Sequence, residues 1–326
     1  MTQVQESDAV TLHGQTYRVR RLDLPTDIAR LTRLTNEADA VDQVDDATTV
    51  EDVQMRLGWP EGEPLRDRWV IEDPADPDRL IGEGVCWKAA STERANVQVL
   101  VHPDWRRRGL GSELLAREIT RAREKGAEYL ASGADDRLPG SQAFLERHGF
   151  VANAVWVLMH CPADVALAAP VPAAGYTIRS YSAVNDVPLL NTALNRGFIG
   201  HFQHREGTDA EMAHWLQGSH VRPDGIFVAF GPDGDPAGVC WTDISPTRHE
   251  QRGTPTGYID ALGVVPEHRR HGLGRALLLT GMRWLRDQGE TDIELDAWGH
   301  NDLALPLYQG VGFGIVQQGK SYRRDP

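Results

Sequence analysis

Two stretches of this chain are near copies: "WRRRGLGSELLA" at residues 105–116 and "HRRHGLGRALLL" at residues 268–279. Each sets arginines and two glycines ahead of a run with helical spacing. Glycine lets the backbone come close to a ligand and adopt positive φ. The first turn of a helix carries unpaired N–H groups and the positive end of the dipole, so such a turn suits a phosphate. In the second copy Arg269, Arg270 and Arg275 add charge that fits a pyrophosphate, around the turn His271, Gly272, Leu273 and Gly274. In the first copy the corresponding residues are Arg106, Arg107, Arg108, Gly109 and Gly111. For either copy alone, a solvated turn that merely starts a helix is the plainer alternative.

The copies belong to a longer repeat. "YRVRRLDLPTDIARLTRLTN" at 17–36 lines up with "YTIRSYSAVNDVPLLNTALN" at 176–195, an offset of 159 residues (176 − 17). Asp27 meets Asp186, Asn36 meets Asn195 and Thr49 meets Thr208 without a gap. "GVCW" stands at 84–87 and again at 238–241. From the turn onward the offset is 163, carrying Pro103 to Pro266, Gly126 to Gly289 and "GF" at 149–150 to "GF" at 312–313. Matches spread over the whole half-length identify a tandem duplication. The expected domains are 1–162 and 176–326, joined by a linker at 163–175 whose Ala- and Pro-rich "ADVALAAPVPAAG" lacks amphipathic periodicity. A short helix over "ADVALAA" is the alternative there.

Each half shows the same order of patterns. A strand (17–22; 176–181) precedes a helix starting near Asp27 or Asp186. Strands follow at 67–72 and 82–88, or at 225–230 and 237–243. A further strand (96–102; 257–265) leads into the turn, and the helix behind it runs to Gly126 or Gly289, as C-terminal glycines commonly allow. Leu277 and Leu278 recur as Trp284 and Leu285, one buried helical face. The expected fold class is mixed α/β (α+β): two tandem domains, each a twisted, mostly antiparallel sheet flanked by helices.

Composition bounds the partners. Over 326 residues, 40% are hydrophobic and 25% charged, as in an ordinary globular protein of two domains. A net charge of −13 argues against nucleic acid, while the local basic turns favour a small polyanion. No apolar run reaches the length of a membrane span, and "MTQVQESDAV" lacks the regions of a signal peptide. Three scattered cysteines, Cys86, Cys161 and Cys240, make neither a disulfide framework nor a metal site, so a reducing cytoplasm is the expected location. "GLGRAL" is also a truncated dinucleotide fingerprint, but Leu277 stands where that pattern needs a small residue.

The segments "LGVVPEHRRHGLGRALL" and "NDLALPLYQGVGF" resemble the acetyl-CoA-binding core of the GCN5-related N-acetyltransferases, with the C-terminal half the closer match. The resemblance implies acetyl-CoA as co-substrate, no metal, and an amine acceptor that is a small molecule or a peptide, an amino-sugar conjugate carrying cysteine among them. It implies that the backbone at Leu262 and Val264 pairs with the pantetheine arm, that an N–H near Leu262 stabilises the oxyanion, and that Asn301 touches the same arm; a helix N-cap is the alternative for Asn301. Tyr308 occupies the position of the acid that protonates the departing thiolate; a tyrosine simply packed on its helix is the alternative. Pro306 departs from the family pattern and removes a backbone donor.

The base is read from the strand "GYIDALGVV", on which Tyr258, Asp260 and Leu262 are expected to alternate onto one face. Asp260, flanked by Ile259 and Ala261, is expected to have a raised pKa suited to a base; an Asp paired with an arginine is the equal alternative. Phe198, His201, Phe202 and His204 crowd the expected acceptor side, with His214 and His220 beyond them. "HFQH" has HxxH spacing but no further ligand completes a metal set. In the first half, Leu145, Leu138 and Val97 stand at the positions of Tyr308, Asn301 and Asp260 at the 163-residue offset, so that half is expected to be catalytically degenerate, with a possible second CoA site. A non-catalytic acyl-CoA-binding or regulatory protein remains the rival class, and a monomer or homodimer the expected state.

Overall fold

A computed structural model describes residues 7–43, 47–299 and 304–325. The chain forms two compact units: residues through Asn153 with the segment from Lys320 onward, and Ala154–Gly319.

The first unit holds β1 (Ser7–Leu12), β2 (Gln15–Arg21), α1 (Asp27–Asp42), α2 (Val50–Leu57), β3 (Arg68–Glu72), β4 (Leu80–Trp87), β5 (Arg94–Val101), α3 (Leu110–Glu124), β6 (Tyr129–Asp135) and α4 (Pro139–Arg147). Its strands lie in the order β1-β2-β3-β4-β5-β6, antiparallel except for the parallel β5–β6 pair. The strand β7 (Val151–Cys161) closes the first half of the sequence, yet from Ala154 it is part of the second unit. There follow β8 (Thr177–Ser180), α5 (Tyr181–Val184), α6 (Val187–Gly197), α7 (Asp209–Trp215), β9 (Val221–Phe230), β10 (Pro236–Ile244), α8 (Pro246–Arg252), β11 (Thr256–Val264), α9 (Leu273–Asp287), β12 (Asp292–Trp298), α10 (Ala304–Gln309) and β13 (Gly314–Arg324). Strands of the second unit run in the order β7-β12-β11-β10-β9-β8, with β11–β12 parallel and the other pairs antiparallel. β13 starts in the second unit, and its last residues count with the first, where Tyr322 is buried and donates to Glu146 at 3.3 Å. The mixed α/β class with helix-flanked, mostly antiparallel strands is as expected; β1, α2, β7, α5, α7, α8 and β13 had no counterpart in the sequence patterns.

The repeated residues turn out to do repeated jobs. Asn36 at α1 grips Thr48 with two hydrogen bonds of 2.8 Å, and Asn195 at α6 grips Gly207 in the same way at 2.9 and 2.8 Å. Thr49 and Thr208 each cap the next helix in a reciprocal capping box, with Asp52 and Glu211. Asp27 and Asp186 differ: Asp186 caps α6, while Asp27 is buried in a bidentate pair with Arg20.

"GVCW" does not repeat structurally. Gly82 pairs with Val101 in the first unit as Gly238 pairs with Val264 in the second, each next to its turn. The two tetrapeptides therefore sit two residues out of step, and Cys240 corresponds to Gly84. Packing agrees. In the second unit the bulk is on the strand, since a Cβ on Gly281 of α9 would lie 2.7 Å from the Cys240 sulfur. In the first unit it is on the helix, since a Cβ on Gly84 would lie 2.8 Å from a Glu118 oxygen of α3. Leu277, Leu278, Met282 and Leu285 of α9 are fully buried against this sheet face, each contributing on the order of 2 kcal/mol. Residues 163–175 contain no helix; the carbonyls of Pro162, Ala163 and Leu167 accept from Arg286 and Arg283 of α9.

Candidate active site

β11 delivers the chain into the turn. Arg270 and Gly272 both have positive φ, +67° and +74°, and α9 begins at Leu273. Among the described residues the N–H groups of Leu273, Gly274 and Arg275 meet no acceptor, so they converge on the mouth of the turn as anion donors. A Cβ on Gly272 would meet nothing within 4 Å, so the approach is open. Leu273 itself is buried and offers only its N–H, while Arg270, His271 and Arg275 are exposed around the mouth. Two expectations are corrected. Arg269 does not contribute a free charge: its guanidinium donates to Val264 O at 2.8 Å and Ile199 O at 2.8 Å, tying the turn to β11 and to the end of α6. Gly274 is not a positive-φ position; it lies in the first helical turn, where a Cβ would touch Leu307 and Val264 at 3.5 Å.

One residue is inserted in β11. Trp241 of β10 pairs with Ala261 and the next residue, Thr242, pairs with Ile259, leaving Asp260 as a β-bulge. The strict alternation expected for Tyr258, Asp260 and Leu262 is thereby broken. Leu262 packs with Ile259 on the α9 side, whereas Tyr258 faces the other way and its ring lies 4.4 Å from the Arg248 guanidinium of α8. Just beyond Ile259–Leu295 the parallel β11–β12 pairing stops, so the bulge stands where these strands part.

Asp260 is exposed to water on this face, and the surrounding protein desolvates its carboxyl only in part. That desolvation, with the carboxylates of Asp243 and Asp296 nearby and despite Arg248, pushes its carboxyl up to about 7. The Tyr258 hydroxyl donates to Asp296 and its own pKa rises, through burial first. Asp243, Asp296 and Arg248 were not singled out in the sequence; the available signal was an aspartate interrupting each of three adjacent strands.

Tyr308 of α10 is on the opposite side of the sheet, 7% exposed in the α9 core, with Phe313 edge-on at 6.2 Å. Burial, with the Cys240 thiol as a smaller cause, holds its pKa well above that of free tyrosine. Cys240 is the pairing partner of Leu262, so the hydroxyl lies near the strand segment that carries the expected oxyanion donor. Asn301 lies outside the described residues.

The end of α6 crosses β11 at a glycine. A Cβ on Gly263 would fall 2.9 Å from the Phe198 ring, so only glycine admits this contact. His201 packs edge-on to Phe198 and its Nδ1 bonds Phe202 O at 3.0 Å. Phe202 lies against Gly299, where a Cβ would be 2.5 Å away. Burial lowers the pKa of both His201 and His204. Among the described residues no group of three or more metal-ligating side chains converges.

The profile of the "Acetyltransferase (GNAT) family" matches residues 189–313, and that of the "Acetyltransferase (GNAT) domain" matches 65–152. The mycothiol acetyltransferase of Acidothermus cellulolyticus is 31% identical over 83% of this chain and 85% of its own. The chain belongs to the GCN5-related N-acetyltransferase family. That of Thermobispora bispora is 28% identical over 95% of this chain and all of its own. Among solved structures, a tandem GNAT protein from the clavulanic acid biosynthesis pathway has a TM-score of 0.71 at 20% identity, covering 95% of this chain and 98% of its own. This acetyltransferase is an enzyme that uses acetyl-CoA as its acyl donor.

Its first unit keeps the shape of the turn but lacks the bulge and the open approach. β4 and β5 pair from Gly82–Val101 to Trp87–Asn96 without a break, so there is no bulge. Val97 corresponds to Ile259 in space rather than to Asp260, which has no counterpart. Leu145 and Val97 are core residues. Arg106 is held by Asp42 through two bonds of 2.8 and 2.5 Å and by Val101 O. Arg107 and Gly109 keep positive φ, +64° and +85°, but the Leu12 side chain of β1 covers Gly109, 3.5 Å from where a Cβ would be. Arg108 stacks on Trp105, and Gly111 faces the Phe144 ring. No helix of the described residues is long and apolar enough to cross a membrane.

Proposed function

We propose that this acetyltransferase transfers an acetyl group to the primary amine of a cysteinyl amino-sugar conjugate, the acceptor type of a mycothiol acetyltransferase, and that the second unit does so by direct attack. The observation that carries the reading is the Asp260 bulge with Tyr308 across the strand from it, a pair that the first unit lacks. With the thioester at the parting of β11 and β12, the amine arrives on the Asp260 side. Asp260 takes its proton directly or through a water, and a carboxyl held near 7 is matched to that task. The backbone N–H near Leu262 stabilises the oxyanion. Tyr308, kept protonated by its raised pKa, gives its proton to the departing thiolate. The coverage of the mycothiol acetyltransferases, over nearly the whole chain in one case, supports the acceptor class. The first unit, with its turn covered by Leu12, is read as scaffold rather than as a second CoA site.

The test is free-thiol release from acetyl-CoA over a panel of amines. Turnover of the cysteinyl conjugate is expected, and Tyr308→Phe should lower kcat by about 10²–10⁴-fold with little change in the KM for acetyl-CoA. Binding of acetyl-CoA without transfer to any amine would favour the non-catalytic class. Unchanged kcat in Tyr308→Phe, with chemistry rate-limiting, would remove Tyr308 from the mechanism.

A further inference from the structure

The chain that leaves α6 touches both β11 and β12 beyond the point where they part. On β11, Leu262 packs toward α9, while Ala261 and Gly263 face the α6 side, Gly263 under the Phe198 ring. Asp296, whose carboxylate neighbours Asp260, is on the α6 side as well, since Leu295 and Ala297 turn into the α9 core. Gly299 directly follows β12 and meets Phe202, four residues after Phe198. Each glycine stands four residues past Ile259–Leu295, the last pair before the strands separate. A Cβ would fall 2.9 Å from Phe198 at Gly263 and 2.5 Å from Phe202 at Gly299, so each ring is seated on bare backbone. One short run of chain therefore bridges the opening from the side of the carboxylates.

The near end of this run is fastened to the turn. Arg269 donates from Nη2 to Ile199 O at 2.8 Å and to Gly197 O at 3.4 Å, and from Nε to Val264 O at 2.8 Å. These carbonyls, on two separate elements, aim the guanidinium fork at the protein rather than at a phosphate. Farther along, Asn195 of α6 holds Gly207 by both its N–H and its carbonyl. Resting on the amine-acceptor reading above, we propose that residues 198–202 are a strap bounding the approach of the amine, and that Arg269 is the positioning residue fixing this strap to the acetyl-CoA turn. Arg269 then acts through the strap and touches neither the acyl group nor the amine. With the strap loose, the turn still binds acetyl-CoA, but amine binding must also order the wall it docks against. The cost falls on the amine.

The experiment compares wild type, Arg269→Ala, Phe202→Ala and the double variant, each first shown by thermal melting to be folded. Thiol release gives kcat and KM for a cysteinyl glucosamine conjugate, or for the best-used amine of the panel if that conjugate is not a substrate. Calorimetry gives the Kd of acetyl-CoA. Arg269→Ala should raise the amine KM by about 10-fold, with kcat and the acetyl-CoA Kd each within about 3-fold of wild type. Phe202→Ala removes the contact at the other end of the strap and should show the same split. The double variant should exceed the worse single one by no more than about 2-fold, because one strap cannot be released twice. An acetyl-CoA Kd raised about 10-fold or more in Arg269→Ala with the amine KM unchanged would make Arg269 a phosphate contact and overturn the proposal. Losses that multiply in the double variant would overturn it too. Should Arg269→Ala not fold, Phe202→Ala decides, and an amine KM unchanged there would overturn the strap while leaving amine acetylation standing. Turnover of no amine by wild type would overturn both.

Discussion

Asp260 has its raised pKa first from desolvation and then from its carboxylate neighbours, and a single inserted residue sets it among them. In an unbroken β11 the strand would present a neutral core side chain, as Val97 does in the first unit. The bulge instead turns a carboxylate toward two others, Asp243 and Asp296. A base acts only when ionised, so activity should rise with pH through about 7. Neutralising a neighbour with Asp243→Asn removes like-charge repulsion and should move that rise to lower pH. In Asp260→Asn the rise should vanish along with most of kcat/KM. Initial rates against pH for the three proteins check this, and a rise that stays in place in Asp260→Asn would assign it to another group. The aspartate was legible in the sequence as a carboxylate among apolar neighbours. The bulge was not, because one extra residue in a strand leaves no mark on composition; strict alternation put Tyr258 and Leu262 on one face when they lie on two.

At the scale of elements, the duplicated helices α3 and α9 have diverged at one contact. In α9, Gly281 accommodates the Cys240 side chain; in α3, Glu118 fills the space above Gly84. The Glu118 carboxyl is fully buried, and neither oxygen has a partner among the described residues. Desolvation raises its pKa to about 8, with Arg21 and Arg68 opposing and Asp67 and Glu83 reinforcing. Because the folded pKa lies above the ordinary value of 4.5, folding keeps a proton that the unfolded chain releases. This contribution is complete below pH 4.5 and is lost progressively as pH rises to about 8, by at most about 1.4 kcal/mol per unit. Glu118→Gln, neutral at every pH, should therefore melt progressively higher than wild type between pH 5 and 8. A Tm difference that does not change with pH would contradict the buried neutral acid. The pairing behind this contact was misread in the sequence, where "GVCW" suggested that Cys86 and Cys240 correspond; only the register next to each turn shows Gly84 in that place. Thr49, Thr208, Asn36 and Asn195 were legible as matches in the repeat, but their work as caps and clamps came only with the structure.

At the scale of the whole chain, duplication kept two turns, and the proposed mechanism places the chemistry at the second. The repeat was visible because its anchors are glycines, prolines and caps that the fold needs twice. The allocation of strands was not, since β7 and β13 leave the halves of the sequence in which they stand, and long-range pairing has no local signature. The covering of Gly109 by Leu12 likewise depends on β1, a strand with no equivalent in the second half. The central claim is that acetyl-CoA is used at the second turn alone. The most direct measurement is kcat/KM for acetyl-CoA, by thiol release, in full-length Gly272→Asp and Gly109→Asp, each first shown by thermal melting to be folded. A carboxylate at the open turn repels the pyrophosphate, so Gly272→Asp should lose about 100-fold or more, the equivalent of one or two charge-assisted hydrogen bonds. Gly109→Asp should stay within about 3-fold of wild type. Comparable losses in both folded variants, or a loss confined to Gly109→Asp, would contradict the claim.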